Sequence, residues 1–274
     1  PYARISGVPE LPRESVFHAL NQKAVARLFA KESNKRYEDL NLIVCHMGGG
    51  ITVSAHRRGR VIDTTNALDG CGPFSPERSG SLPPGPLVRL CFSGKYTEDE
   101  LIKMVHGAGG LYAHLGTTSV PEVLDRILNH DLHAMLILRA MCYTICKEIG
   151  AMATALKGDV DAILLTGGIA HSKRVTDFIA DHVDYIAPIY VYPGENELRA
   201  LAENAFAVLR GERTPKVYES TANEDPSQIN DEGRPSKLRD WLLSAITPPN
   251  GTKPMTAIRQ YLRKWGTNKN RRVD

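Results

Sequence analysis

The run Gly48-Gly49-Gly50 narrows the fold of this chain more than any other feature, because strand-like segments flank it on both sides. Before it stands Leu42-Ile-Val-Cys-His-Met47, an apolar stretch of strand length. After it Ile51-Thr-Val-Ser-Ala-His56 alternates with period two, Arg57-Arg-Gly59 turns, and Arg60-Val-Ile-Asp-Thr-Thr65 is extended again. The pattern predicts a three-strand antiparallel meander. Three glycines exceed what a two-residue hairpin turn requires. They let the backbone approach a phosphate with several N–H groups aimed at it, where a Cβ would block contact; a tight hairpin or bulge is the plainer alternative. A second pair, Gly167-Gly168, ends the apolar run Asp161-Ala-Ile-Leu-Leu-Thr166. A helical pattern over 172–181, a strand over 187–192, the turn Pro193-Gly194 and a helix over 195–210 come next. The order βββαβαβα across 42–210 is that of an α/β fold.

The common glycine signatures of nucleotide sites are absent. The G-x-G-x-x-G candidates at Gly48, Gly70 and Gly107 end on Val53, Ser75 and Tyr112, and the Gly94-Lys95 pair is followed by Tyr96, which removes a P-loop. Residues 66–86, rich in Gly, Pro and Ser, read as a long loop of the kind that is usually functional in compact domains. Helical patterns are expected over 15–31, starting near Glu14, and over 86–92, 97–105, 120–129 and 132–156; Thr97-Glu-Asp-Glu100 is a capping-box sequence. The last pattern is interrupted by His133, Arg139, Lys147 and Glu148, and so predicts a core helix rather than a membrane span.

Cysteine usage argues against a disulfide scaffold, since Cys45, Cys71, Cys91, Cys142 and Cys146 are odd in number and form no C-x-x-C pair. It suits a reducing cytoplasm. Cys142 and Cys146, one helical turn apart on an apolar helix, read as core. Pro1 to Arg13 has no apolar region of signal-peptide type. The formal charge of +3 is unevenly placed: residues 1–218 hold 24 Lys+Arg and 24 Asp+Glu, and residues 219–274 hold 10 and 7. The body is therefore neutral, and no nucleic-acid or membrane partner is expected of it. Residues 219–274 read as a polar linker and two short amphipathic helices with Leu238, Trp241, Leu242 and Ile258, Tyr261, Leu262, Trp265 at helical spacing.

Several of these motifs, in order, carry a resemblance. His46-Met-Gly-Gly-Gly50-Ile-Thr-Val-Ser54, Asn66-Ala-Leu-Asp-Gly70, Gly72-Pro-Phe-Ser-Pro-Glu-Arg-Ser-Gly80, Leu165-Thr-Gly-Gly-Ile169 and Val191-Tyr-Pro-Gly-Glu195 look like the butyrate kinases of the acetate kinase family. Ala3-Arg-Ile-Ser-Gly7 and Phe17-His-Ala-Leu-Asn-Gln-Lys23 resemble the same family. The match runs to about Tyr218. It implies the ribonuclease-H-like fold of the actin-like ATPases and acetate kinases, with 1–40 a remnant of the first domain and 41–218 the nucleotide-binding second domain. It implies reversible transfer of a phosphoryl group between ATP/ADP and butyrate or a related short-chain carboxylate, with Mg²⁺, in a homodimer or higher oligomer.

By the same resemblance, Arg78 is the catalytic arginine that stabilises charge on the transferred phosphoryl group; a surface pair with Glu77 is its plainer role. His46 is placed to donate to a phosphate oxygen, Gly48, Gly49 and Gly50 to cradle phosphates, and Gly167, Gly168 and Ile169 to border the nucleotide. Asn66, Asp69 and His18 are assigned to the cleft. Glu195 and Glu197 are candidates for Mg²⁺, and capping a helix accounts equally well for Glu195. Two departures stand out: Gln22 occupies the place of a second histidine, and the family's Asn-x-Gly-Ser-Ser-x-Lys loop and metal-linked Asp have no counterpart here, which predicts little turnover by this chain alone. A nucleotide-binding module without turnover, or an interaction protein working through 219–274, are the competing readings.

Overall fold

The computed structural model describes residues 2–195 and, beyond them, residues 202, 205, 206, 208–211 and 214. The expected linker and helices of 219–274, Glu197 and most of the expected helix over 195–210 lie outside the described residues. Residues Pro1–Val217 form one compact unit.

Its centre is a five-stranded sheet in the order β3-β2-β1-β4-β5, made of β1 (Asn41–Met47), β2 (Ile51–Arg57), β3 (Arg60–Thr64), β4 (Ala162–Gly167) and β5 (Ile189–Pro193). The meander is present: β1 pairs antiparallel with β2, and β2 with β3. β4 runs parallel to β1, and β5 parallel to β4. Because side chains alternate along a strand, the register sorts them into two faces. Ile43, Cys45, Met47, Val53, Ala55, Ile163 and Leu165 meet α6 (Leu132–Ala155) and α7 (Lys173–Val183) in one apolar core. Leu42, Val44 and Leu164 meet Val25, Ala26 and Phe29 of α1 (Ala19–Glu32) on the other. Cys142 and Cys146 lie buried in the first core, as expected, where desolvation pushes their thiols up to about 12 and about 11. They are packing groups rather than nucleophiles.

The helix expected from Glu14 begins at Ala19 instead. Residues 12–18 run without helical structure because their groups are committed elsewhere: the Val16 carbonyl accepts from the Ala67 N–H, Arg13 pairs with Asp63, and the His18 ring meets Thr52. Further α-helices among the described residues are α2 (Pro84–Cys91), α3 (Glu98–Val105), α4 (Gly110–Leu115) and α5 (Val120–Leu128). The capping box at Thr97 is formed in both directions with Glu100. Sequence periodicity gave no sign of α4, which is too short to show a repeat.

Candidate functional site

Parallel strands β1 and β4 end side by side, with His46 in register with Thr166. Both strands run directly into glycine. Gly167 has φ +91°, and a Cβ there would overlap the Met47 carbonyl, so only glycine lets the two strand ends meet. Gly167 also exchanges backbone hydrogen bonds with Gly194 at 3.2 and 3.0 Å. The three glycine motifs of the sequence therefore converge at one sheet end.

Each residue of the triplet faces a different group. A Cβ on Gly48 would stand 3.0 Å from Glu195 Oε1 and 3.2 Å from His46 Nε2. One on Gly49 would meet Glu77 Oε1 at 3.3 Å, and one on Gly50 the Ala67 carbonyl at 3.4 Å. At Gly168, in contrast, no described residue lies within 4 Å of where a Cβ would be. Ile169 points its side chain into the apolar core and adds packing rather than a polar contact.

Arg78 sits on a tight turn that is held from two sides. Ser75 Oγ donates to the Gly49 carbonyl at 2.5 Å, fastening the turn to the triplet. From the other side, Gly107 N–H donates to the Glu77 carbonyl (2.7 Å), Leu111 N–H to Ser75 (3.1 Å) and Tyr112 N–H to Pro76 (2.9 Å). Gly110, at φ +60°, passes so close to the Ser75 carbonyl that any side chain would overlap it. The segment Gly107-Ala-Gly-Gly110 is thus the buttress of the Arg78 turn. Arg78 pairs with Glu77 at 3.1 Å, as the plainer reading expected, yet its Nε is buried with no hydrogen-bond partner among the described residues. A buried guanidinium donor left open beside a glycine-lined wall is suited to an anion.

The floor of the site is polar and comes from α1 and β2. His18 stacks on His46 with ring centroids 3.8 Å apart, and its Nδ1 lies 3.0 Å from Thr52 Oγ1. Gln22 donates to Thr52 Oγ1 at 2.8 Å and accepts from His56 at 3.1 Å. His56 in turn meets the Tyr37 hydroxyl at 2.7 Å. On the other side Asn21 Oδ1 lies 3.0 Å from His46 Nδ1. Burial, reinforced by His18, pushes His46 down to about 3, and burial, reinforced by Lys23, does the same to His56. Both rings are neutral at ordinary pH. The 3.6 Å approach of Glu195 to His46 is then a polar contact and not an ion pair.

Asn66 and Asp69 are joined to each other at 3.0 Å, and Asn66 Oδ1 also accepts from the Leu68 N–H at 2.8 Å. This Asx turn shapes the loop whose Ala67 abuts Gly50. Sequence reading missed Asn21, Thr52, His56, Thr166 and the buttress. The signal for the first group was present: Thr52, Ser54 and His56 fall at alternate positions of β2, giving one strand face a polar character.

Among the described residues no three or more His, Cys, Asp and Glu side chains cluster to hold a metal. A Mg²⁺ that arrives on a nucleotide needs only one or two carboxylates besides phosphate oxygens and water. Glu195, half-exposed beside Gly48, fits that requirement. Among the described residues no helix is long and apolar enough to cross a membrane.

Comparison with known proteins places these features in a family context. The Acetokinase family profile matches residues 11–225. Butyrate kinase 2 of Clostridium acetobutylicum is 58% identical over 216 residues, 79% of this chain and 61% of that protein. A probable butyrate kinase of Bacteroides thetaiotaomicron is 54% identical over the same shares. This chain thus spans about three fifths of the length of the curated relatives it matches. Among solved structures, an acetate kinase of Porphyromonas gingivalis superimposes with TM-score 0.68 at 18% identity, covering 76% of this chain and 60% of that one. A propionate kinase of Francisella tularensis gives 0.65 at 20% identity, covering 73% and 59%.

Proposed function

The chain belongs to the Acetokinase family and has the acetate kinase fold, and from that premise we propose that it carries the nucleotide side of an ATP-dependent short-chain carboxylate kinase. The observation that supports this most is the convergence of three glycine motifs with His46 and Arg78 at the ends of β1 and β4. Butyrate is the phosphoryl acceptor favoured, because the relatives that bear the name butyrate kinase are more than half identical. The reaction moves the γ-phosphoryl group of ATP to a carboxylate, giving butyryl phosphate and ADP, and runs in reverse to make ATP.

Phosphoryl transfer asks a protein to position reactants and to neutralise spreading charge. The backbone of Gly48–50 lies against the phosphates, with His46 donating an N–H from below. Arg78, its Nε open, meets the charge that develops on the transferred group, and Glu77 holds the guanidinium in line between turnovers. Gly167 and Gly168 border the nucleotide, and Asn66, Asp69 and His18 close the cleft around Gly50. Glu195 is the carboxylate placed to hold Mg²⁺, which would supply charge neutralisation on the phosphates. The five thiols, none of them disulfide-bonded, suit the cytoplasm. Exposed Phe92, Leu128, Leu132 and Leu136 support self-association.

The test is formation of butyryl phosphate, trapped as its hydroxamate, from ATP and butyrate. Little product is expected of this chain alone, and Arg78→Ala is expected to lower that rate by about 10³-fold or more, to background, with little change in nucleotide affinity. Equal kcat in the variant would remove Arg78 from the chemistry. ATP binding without any butyryl phosphate would favour a binding module.

A further inference from the structure

Two adjacent amides of α1, Asn21 and Gln22, are completely buried and each adjoins the histidines of the cleft. For Gln22 the hydrogen-bond directions are fixed by chemistry. Its Nε2 reaches both the Thr52 hydroxyl (2.8 Å) and the Thr52 carbonyl (3.4 Å), and a carbonyl only accepts. Gln22 Oε1 therefore faces His56 Nε2, which must carry the proton, and the Tyr37 hydroxyl donates to His56 Nδ1. With Thr52 Oγ1 already accepting, its own hydrogen is available to His18 Nδ1. The relay leaves His56 protonated on Nε2.

Asn21 presents a different inventory. Its oxygen lies 3.0 Å from His46 Nδ1 and 3.4 Å from the Thr166 hydroxyl, while its Nδ2 is buried with no acceptor among the described residues. Both of those neighbours are able to accept, and the Thr166 hydrogen has another outlet in the Gly194 carbonyl at 3.4 Å. The two ends of an amide have nearly the same shape, so a 180° turn gives both Nδ2 hydrogens an acceptor and leaves the oxygen in the partnerless place, where a carbonyl is tolerated better than an N–H. It also changes the far side of the ring. With the Asn21 oxygen toward Nδ1, His46 Nε2 would point a lone pair at Gly48 and the Glu195 carboxylate; with the nitrogen there, Nε2 carries a hydrogen toward them.

We propose that Asn21 is a positioning residue whose Nδ2 donates to His46 Nδ1, holding His46 as the neutral Nε2–H tautomer with its N–H toward the Gly48–50 turn. The use of that N–H for a phosphate rests on the proposed kinase function, whereas the tautomer does not.

The experiment is a long-range ¹H–¹⁵N correlation spectrum of the full chain labelled on histidine nitrogen, free of ligand and at a pH where the rings are neutral. His46 is identified by the signals missing from His46→Gln. The expected spectrum has His46 Nδ1 shifted as a bare nitrogen and Nε2 as a protonated one. Asn21→Asp, whose carboxylate only accepts, is expected to interchange them. A wild-type ring protonated on Nδ1 overturns the proposal. The wild-type spectrum decides without any variant. Addition of ATP then tests the site separately: an unmoved His46 Nε2 signal would contradict phosphate binding and leave the tautomer standing.

Discussion

Two neighbouring glycines make different demands on the chain. Gly167 combines φ +91° with backbone of Met47 inside van der Waals distance, so Gly167→Ala is expected to destabilise the fold by about 2 kcal/mol or more, read as a lower denaturant midpoint. A Cβ on Gly168 would meet no described residue within 4 Å, so Gly168→Val is expected to leave the midpoint nearly unchanged and to weaken nucleotide binding. A midpoint loss at Gly168 equal to that at Gly167 would contradict this division between a fold glycine and a ligand glycine. His56 gives a pH signature. Its folded pKa of about 3 lies below its ordinary value, so the unfolded chain takes up a proton first as pH falls. Its contribution is whole above about pH 6.5 and is lost below it, at about 1.4 kcal/mol per pH unit down toward 3. His46 adds a slope of the same sign. Stability measured from pH 7 to 5 should fall accordingly, and His56→Gln should flatten the curve; a curve already flat in the wild type would show these rings are not held neutral.

The elements show which kinds of information a sequence carries. Strand β1 with its glycine triplet, the period-two alternation of β2 and the capping box at Thr97 were legible because each is a local pattern with a local cause. The start of α1 was not, because Val16 and His18 are taken by Ala67 and Thr52, partners that arrive only with the folded sheet. The same holds for the candidate site. Arg78, His46 and the glycines were visible as motifs, whereas Gly107-Ala-Gly-Gly110 acquires meaning only when it passes behind the Arg78 turn. That role makes a prediction at the scale of the turn. Gly110→Ala sets a methyl into the Ser75 carbonyl, and is expected to reduce butyryl phosphate formation about as much as Arg78→Ala while the sheet remains intact by circular dichroism. Full activity in Gly110→Ala would mean the buttress does not position Arg78.

At the scale of the whole molecule, one sheet serves two purposes. The face toward α6 and α7 is apolar and anchors the structure, burying Ile145, Ile149, Ile163 and Leu165 at about 1.5 to 3 kcal/mol each. The face toward α1 is apolar at Leu42 and Val44 and becomes polar at His46, Thr52 and Thr166, at and beside the strand ends where the glycines gather. The site thus grows out of the sheet's own register, and its function turns on whether this corner binds nucleotide phosphates. Isothermal calorimetry of ATP decides that, with the wild-type chain and with Gly49→Ala, a substitution that meets only the flexible end of the Glu77 side chain. A heat of binding is expected for the wild type, and an affinity weakened by about tenfold or more, at least about 1.4 kcal/mol, in the variant. No binding by the wild type, or equal affinity in the two, would rule out phosphate binding by the glycine triplet.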